Sequence, residues 1–326
     1  MTETLNSVNL AALFDEQLAC WEQAGSNYKA LQSVLVKSVD VEGFPFKVQF
    51  NPARIVSSAA KVDAKSISER KCFLCKENRP AVQKGLEYIN NGNTENPYTV
   101  LINPFPIFPK HLTIPLLDHT LQLISGRFDA MLNLAKELPG YTLFYNGPKC
   151  GASAPDHFHF QAGNKGFLTI ESELQNMELE PISQTNHTCV SLVKGVFSGL
   201  ILLDSNSPFE ANEIFEKILT VLPVKEQEAE PMINILSWYA TSGVYEGRYI
   251  TLIYLRDKHR PSHYFAQDDA NILLSPASVD LGGVLITPLE KDFNKISERE
   301  IKEIMDEILI SESDTKAIVN KIKTVL

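Results

Sequence analysis

The 326-residue chain has no apolar run long enough to cross a membrane, although 44% of its residues are hydrophobic. A spanning helix needs about 20 consecutive apolar residues. The N-terminus, MTETLNSVNL, lacks the basic stretch followed by an apolar one that marks an export signal. A cytoplasmic protein with no membrane partner is therefore expected. Positive charge is also scarce, with a net charge of −10 at pH 7. Phosphate backbones are held chiefly by clustered Lys and Arg, so no broad nucleic-acid surface is expected. Small phosphorylated ligands, which need only a few local cations, stay open. The five cysteines, Cys20, Cys72, Cys75, Cys150 and Cys189, are an odd and scattered set that suits a reducing compartment better than a disulfide framework. No GxGxxG follows a first strand, which removes a Rossmann reading.

What is present suffices for a sizeable core, and the length suggests two domains. Leu10, Leu13, Phe14, Leu18 and Trp21 recur at helical spacings over residues 8–24, predicting an amphipathic helix. Residues 33–50 alternate with β-branched side chains and turn near Glu42-Gly43, predicting a hairpin. Val100 and Ile102, then Leu112 and Ile114, mark two strands around the proline-rich turn PFPIFP. An amphipathic helix over 120–137 leads to the strand 141–146, with His119 placed at the helix start and given no chemical role. The composition turns polar after about residue 172, where a boundary between 1–172 and 173–326 is set. Beyond it a mixed order recurs: strands within 190–205, a helix over 209–221, strands at 232–240 and 248–255, and two helices from Glu298 onward.

The most informative stretch is NGPKCGASAPDHFHFQAG, residues 146–163. His157, His159 and Gln161 alternate with Phe158, Phe160 and Ala162, the period of a strand with a polar face and an apolar one. Before it, Asn146, Gly147, Pro148, Gly151, Ala152, Ser153 and Pro155 form a loop of small and turn-forming residues whose backbone can approach a ligand closely. Phosphate groups need such an approach. The plainer reading is an amphipathic strand carrying two ordinary histidines. Cys72 and Cys75 form a CxxC knuckle, able to present two thiolates to one metal; a redox dithiol and two inert buried thiols are the alternatives. Arg54 follows a strand and turn in FNPAR, where a solvated arginine is the simpler account. Asn103 stands before Pro104, a common turn-capping arrangement. Arg256, Lys258, His259 and Arg260 make the densest cationic group, either a solvated hairpin tip or a cover over anionic substrate.

The 146–163 stretch resembles the active-site strand of the histidine-triad superfamily, in its nucleotidyltransferase branch, which carries His-x-His-x-Gln where the hydrolase branch has a third histidine. That branch includes galactose-1-phosphate uridylyltransferases, diadenosine tetraphosphate phosphorylases and GDP-hexose phosphorylases. The resemblance implies an α+β fold of two histidine-triad-like domains, each a mainly antiparallel sheet with flanking helices. Only the first, residues 1–172, would be catalytic, and the second half lacks an HxHxQ. It implies His159 as the nucleophile, with its other ring nitrogen donating to a backbone carbonyl, and Gln161 and Ser153 as donors to the phosphoryl oxygens. Arg54, Asn103, Asn146, Lys149, Gly151, Arg256, Lys258 and Arg260 become candidate substrate-binding residues. RKCFLCKENRP is similar to the family's Cys-x-x-Cys segment, which implies a structural Zn²⁺ held by Cys72, Cys75, His111 and His157. Asp156 is an extra residue before His157, setting Ser153 one position farther from the nucleophile.

The activity implied is nucleotidyl transfer from a nucleoside diphosphate hexose, such as a GDP-hexose, through a covalent nucleotidyl-His159. The acceptor would be phosphate or a sugar phosphate. Two alternatives stand beside it: a dinucleoside-polyphosphate phosphorylase, and a catalytically silent nucleotide-binding protein. A monomer or homodimer is expected.

Overall fold

The computed structural model describes residues 3–55 and 62–326. Helices α1 (Ser7–Cys20) and α2 (Glu22–Leu31) precede the hairpin of β1 (Leu35–Val41) and β2 (Phe44–Phe50). A first β-β-β-α-β-β unit follows: β3 (Gly85–Tyr88), β4 (Tyr98–Ile102), β5 (His111–Pro115), α3 (Phe128–Glu137), β6 (Tyr141–Asn146) and β7 (His159–Asn164). The order then repeats with β8 (Leu179–Gln184), β9 (Thr188–Val193), β10 (Leu200–Ser205), α4 (Pro208–Val221), β11 (Ile233–Tyr239) and β12 (Tyr249–Leu255). β13 (Val284–Thr287), α5 (Glu298–Ile308) and α6 (Glu312–Val325) complete the longer elements.

Among the described residues ten strands form one sheet in the order β3-β4-β5-β7-β6-β11-β12-β10-β9-β8, with antiparallel neighbours throughout. Each unit uses the same internal strand order, and the two meet at β6 and β11, where Asn146 lies opposite Asn234. The expected α+β class, two mainly antiparallel units with flanking helices, is the one the chain adopts. No helix among the described residues is long and apolar enough to cross a membrane.

The strand period decides which residues meet which layer. Phe158, Phe160 and Ala162 enter the core under α1, α3, α4 and α6, and burying each ring contributes roughly 1.5–3 kcal/mol. Phe128 of α3 stacks on Phe215 of α4 with ring centroids 3.9 Å apart, tying the two units together on that side. The opposite sheet face carries Phe108, Phe144, Leu236 and Leu252 under a second layer of β1, β2, β13 and α5. There β13 runs parallel to β2. The β1–β2 turn uses positive φ at both Glu42 and Gly43, the conformation that matches strand twist in two-residue hairpins.

Two expectations shift along the chain. The helix anticipated over 120–137 begins only at Phe128, because Gln122 is drawn into the sheet and Gly126 turns the backbone at φ 71°. The strand anticipated from His157 begins at His159. The amide of His157 instead closes a turn on the Ala154 carbonyl, and Phe158 pairs with Thr120 and Leu116 rather than β5.

Candidate active site

The side chains of β7 that point away from Phe158 and Phe160 meet the second layer, and there the polar groups gather. His159 is only 3% exposed. Its Nδ1 donates to the His157 carbonyl at 2.8 Å, which leaves Nε2 with the lone pair. Among the described residues Nε2 has no partner, and it is not among the fully enclosed unpartnered atoms. Burial, and then the His157 ring, pushes the pKa of His159 down to about 4, against the pull of its carbonyl bond. The ring is therefore neutral near pH 7.

Its neighbours are oriented as donors. The Ile107 amide donates to Nδ1 of His111 at 3.2 Å, so His111 carries its proton on Nε2 and donates to Gln161 Oε1 at 3.1 Å. Burial and the nearby Arg54 hold His111 neutral, with a pKa pushed down to about 3. Asn103 Nδ2 adds a longer contact to the same Gln161 oxygen and donates to Thr113, while its own Oδ1 caps the turn at Phe105. With its oxygen so occupied, Gln161 turns its NH₂ outward. Asn146 behaves alike: Asn234 Nδ2 and both the amide and hydroxyl of Ser278 donate to its Oδ1, leaving its NH₂ free to donate. Cys150 closes a turn on the Gly147 carbonyl, whereas the amides of Gly151, Ala152 and Ser153 bond no protein acceptor among the described residues. Gly151 sits at φ +92°, and a Cβ there would come 2.6 Å from the Ala277 Cβ, so the loop's close approach to that segment requires glycine.

Asn103, Asn146, Gly151, Ser153, Gln161 and Arg54 line one pocket together with His259, Arg260, Ser275 and Asp280 from the second half. Arg54 donates to the Phe105 carbonyl at 2.6 Å while its Nε is buried without a partner. Burial lowers its pKa to about 10, so it remains cationic. Asp280 accepts from the Ala277 and Ile286 amides, yet burial raises its pKa to about 6. Burial chiefly, then Arg260, Arg256 and Lys149, lowers that of His259 to about 4. The lining thus offers many donors and little negative charge. His159 itself is not part of the lining, whereas Asn146, Ser153 and Gln161 are.

A second cluster adjoins the strand. Cys72, Cys75, His119 and His157 bring one ligand atom each to within 4.8 Å of one another. Cys72 Sγ lies 3.3 Å from His157 Nδ1, and Cys75 Sγ lies 3.1 Å from His119 Nδ1. His157 Nε2 donates to the Leu116 carbonyl at 2.9 Å, which fixes Nδ1 as the lone-pair nitrogen facing the thiols. Two sulfurs and two imidazoles at such separations fit the edges of a tetrahedron with ligand bonds of about 2.0–2.3 Å. Burial and the neighbouring Cys72 raise the Cys75 pKa to about 11, a cost that a bound dication removes by taking the thiolate as ligand.

Several expected placements need correction. His111 is not with the cysteines; its ring is spent on Ile107 and Gln161, and His119 takes the fourth corner instead. Arg256 is not at the pocket either. It is buried, and its five N–H groups go to Asn234 Oδ1 and to the carbonyls of Pro276, Lys258, His259 and Ile308. Lys258 pairs with Glu307 on the surface, and Lys149 lies 4.0 Å from Glu228; neither lines the pocket. The expected ligand residues Arg54, Asn103, Asn146, Gly151, Ser153, Gln161 and Arg260 are brought together. Sequence reasoning passed over Gln122, His119 and the wall from Leu274 to Asp280. Only for His119 was a signal present: it is a histidine near the Pro-x-His segment, as close a candidate in sequence as His111.

The fold just described matches solved structures over nearly its whole length. Yeast Ap4A phosphorylase Apa2 superposes with a TM-score of 0.53 at 15% identity, covering 89% of this chain and 94% of that one. Its complex with Ap4A gives 0.54 at 14% identity over 89% and 96%, and its complex with AMP gives 0.51 at 16% over 91% and 99%. At such identities the likeness is one of fold. Residues 13–164 match the model of a family described as Domain of unknown function (DUF4922). No curated protein matches the chain.

Proposed function

We propose that this protein is a nucleotidyltransferase of the phosphorylase type, in the nucleotidyltransferase branch of the histidine-triad superfamily. The observation that carries the reading is the state of His159: neutral, its Nδ1 proton committed to the His157 carbonyl and its Nε2 without a partner among the described residues, on the strand that carries Gln161 to the pocket. Nε2 attacks the α-phosphorus of a nucleoside polyphosphate, forming an N–P bond while the P–O bond to the leaving phosphate breaks and its oxygen keeps the electron pair. Inorganic phosphate then attacks the same phosphorus, the N–P bond breaks, and the imidazole is restored. Gln161, Asn146, Ser153 and the loop amides donate to the phosphoryl oxygens as charge develops. Arg54 and Arg260 face the remaining phosphates. Zn²⁺ at Cys72, Cys75, His119 and His157 would be structural, bracing the segment before His159. Residues 1–172 carry this chemistry, and 173–326 supply the far wall of the pocket.

The whole-length likeness to an Ap4A phosphorylase supports a dinucleoside polyphosphate as donor; a nucleoside diphosphate hexose fits the same chemistry. Incubation with each labelled donor, with and without phosphate, separates them. The expected result is an acid-labile nucleotidyl adduct, lost in His159→Ala, and phosphate-dependent release of a nucleoside diphosphate from one donor class. Absence of adduct with every donor, or full labelling of His159→Ala, rejects the reading.

A further inference from the structure

Strands β6 and β7 part just where the site begins. Their register sets Tyr141 opposite Asn164 and Phe144 opposite Gln161; continued by two residues it would set Asn146 against His159. That rung does not form. The carboxamide of Gln122 occupies its place: the His159 amide donates to Oε1 at 2.8 Å, and Nε2 donates to the His159 carbonyl at 3.0 Å and the Asn146 carbonyl at 3.1 Å. An amide side chain carries the same donor and acceptor as a peptide unit, so it stands in for a missing strand while keeping the two backbones apart. Gln122 is fully buried, and its own backbone is pinned at both ends. Its amide donates to the Pro155 carbonyl at 3.1 Å, and the Tyr145 hydroxyl, which also bonds Glu230, donates to its carbonyl at 3.0 Å.

The geometry points to Gln122 as a positioning residue that wedges His159 and Asn146 apart, so that Nε2 of one and the amide of the other address one phosphorus from two sides. This rests on His159 acting as proposed above. The wedge touches no substrate; it sets the backbone from which the imidazole projects. Without it the two strands are free to close the rung, which moves the ring away from its place beside the loop. A displacement of about 1 Å in a reacting group costs about 100-fold in rate.

The test is Gln122→Met, which keeps length and removes all three polar contacts. Single-turnover formation of nucleotidyl-His159 should slow about 100-fold, with the donor dissociation constant changed by less than about threefold, since the phosphate-facing groups remain. The ring ¹⁵N and ¹H signals of His159, assigned by their loss in His159→Ala, should move from a single Nδ1–H pattern to an averaged one. Should Gln122→Met fail to fold, Tyr145→Phe keeps the carboxamide but frees its backbone, and the same two readouts should shift in the same direction by less. An unchanged rate with unchanged ring signals overturns the assignment, as does a rise in the dissociation constant that accounts for the whole loss. The ring signals need no turnover. A protein inert toward every nucleotide yet showing the ring change would reject the enzymatic reading and keep the wedge.

Discussion

Nδ1 of His159 donates to the main-chain oxygen of His157 across 2.8 Å, while the ring of that same His157 turns the other way, its Nδ1 3.3 Å from Cys72 Sγ. One residue therefore belongs to both clusters, through its carbonyl to one and its ring to the other. Whatever fixes the His157 ring also fixes the acceptor that sets the His159 tautomer.

Loss of metal should then act on the chemistry without touching the ligand. In Cys72→Ser/Cys75→Ser, stoichiometric zinc should vanish from metal analysis, and adduct formation should slow by about 10- to 100-fold, the range for disturbed groups around a metal. Nucleotide affinity should stay within about threefold, because the pocket lining shares no residue with the cluster. An unaltered adduct rate in the zinc-free variant would break the link between the two clusters.

His119, rather than the expected His111, stands with the cysteines, and the difference is measurable. His119→Ala should lower zinc content. His111→Leu should leave it intact but slow adduct formation by about tenfold or more, since Gln161 loses the donor that holds its oxygen away from the pocket. Zinc lost from His111→Leu, with the fold kept, would restore the original expectation.

Much of the architecture is legible in the residues. The alternation of Phe158 and Phe160 against His159 and Gln161 announces a strand with one core face, and Glu42-Gly43 announces the hairpin turn. The repeated β-β-β-α-β-β order is visible as two similar runs of strand and helix patterns. What stays hidden depends on contacts between distant segments. Gln122 lies among apolar residues at helical spacing, and nothing local says that its amide is worth more in a gap between strands than in a helix. Arg256 looks like part of an exposed basic tip because its acceptors are main-chain carbonyls, which sequence does not distinguish. His119 is chosen over His111 only because the chain between them folds back onto the cysteines.

The buried carboxyl of Glu230 gives a pH signature. It accepts from the Ile124 amide at 2.8 Å and is hydrogen-bonded to the Tyr145 hydroxyl oxygen, whose own proton goes to the Gln122 carbonyl, but burial dominates and raises its pKa from 4.5 to about 7. The native state therefore holds this proton more tightly than the unfolded chain, and stability from this group is drawn off as pH rises from about 4.5 to 7. Glu230→Gln keeps an acceptor for Ile124 and offers a donor to the tyrosine oxygen. Relative to wild type, the variant should gain roughly 1–3 kcal/mol between about pH 5 and pH 8 in urea unfolding. A difference that does not change with pH removes Glu230 as the source.

Arg256 and Lys258 stand two residues apart in one basic stretch, and the structure gives them opposite weights. Arg256 is 3% exposed, and its five N–H groups satisfy Asn234 and four main-chain carbonyls that hold β12, the His259 loop and the Pro276 segment in place. Arg256→Met strands those acceptors in the interior and should cost about 3 kcal/mol or more. Arg256→Lys, with three donors on a point charge, should recover only part of this, because a planar fork is what reaches all five acceptors. Lys258 holds Glu307 at 3.1 Å with half its side chain in solvent, so Lys258→Met should shift stability by less than about 1 kcal/mol. Because Asn234 also donates to Asn146 and to the Cys150 carbonyl, the Arg256 variants that still fold should bind donor more weakly, whereas the Lys258 variant should not. Equal losses at the two positions would mean that the stretch acts as one charged surface, and the division of labour drawn from its hydrogen bonds would fail.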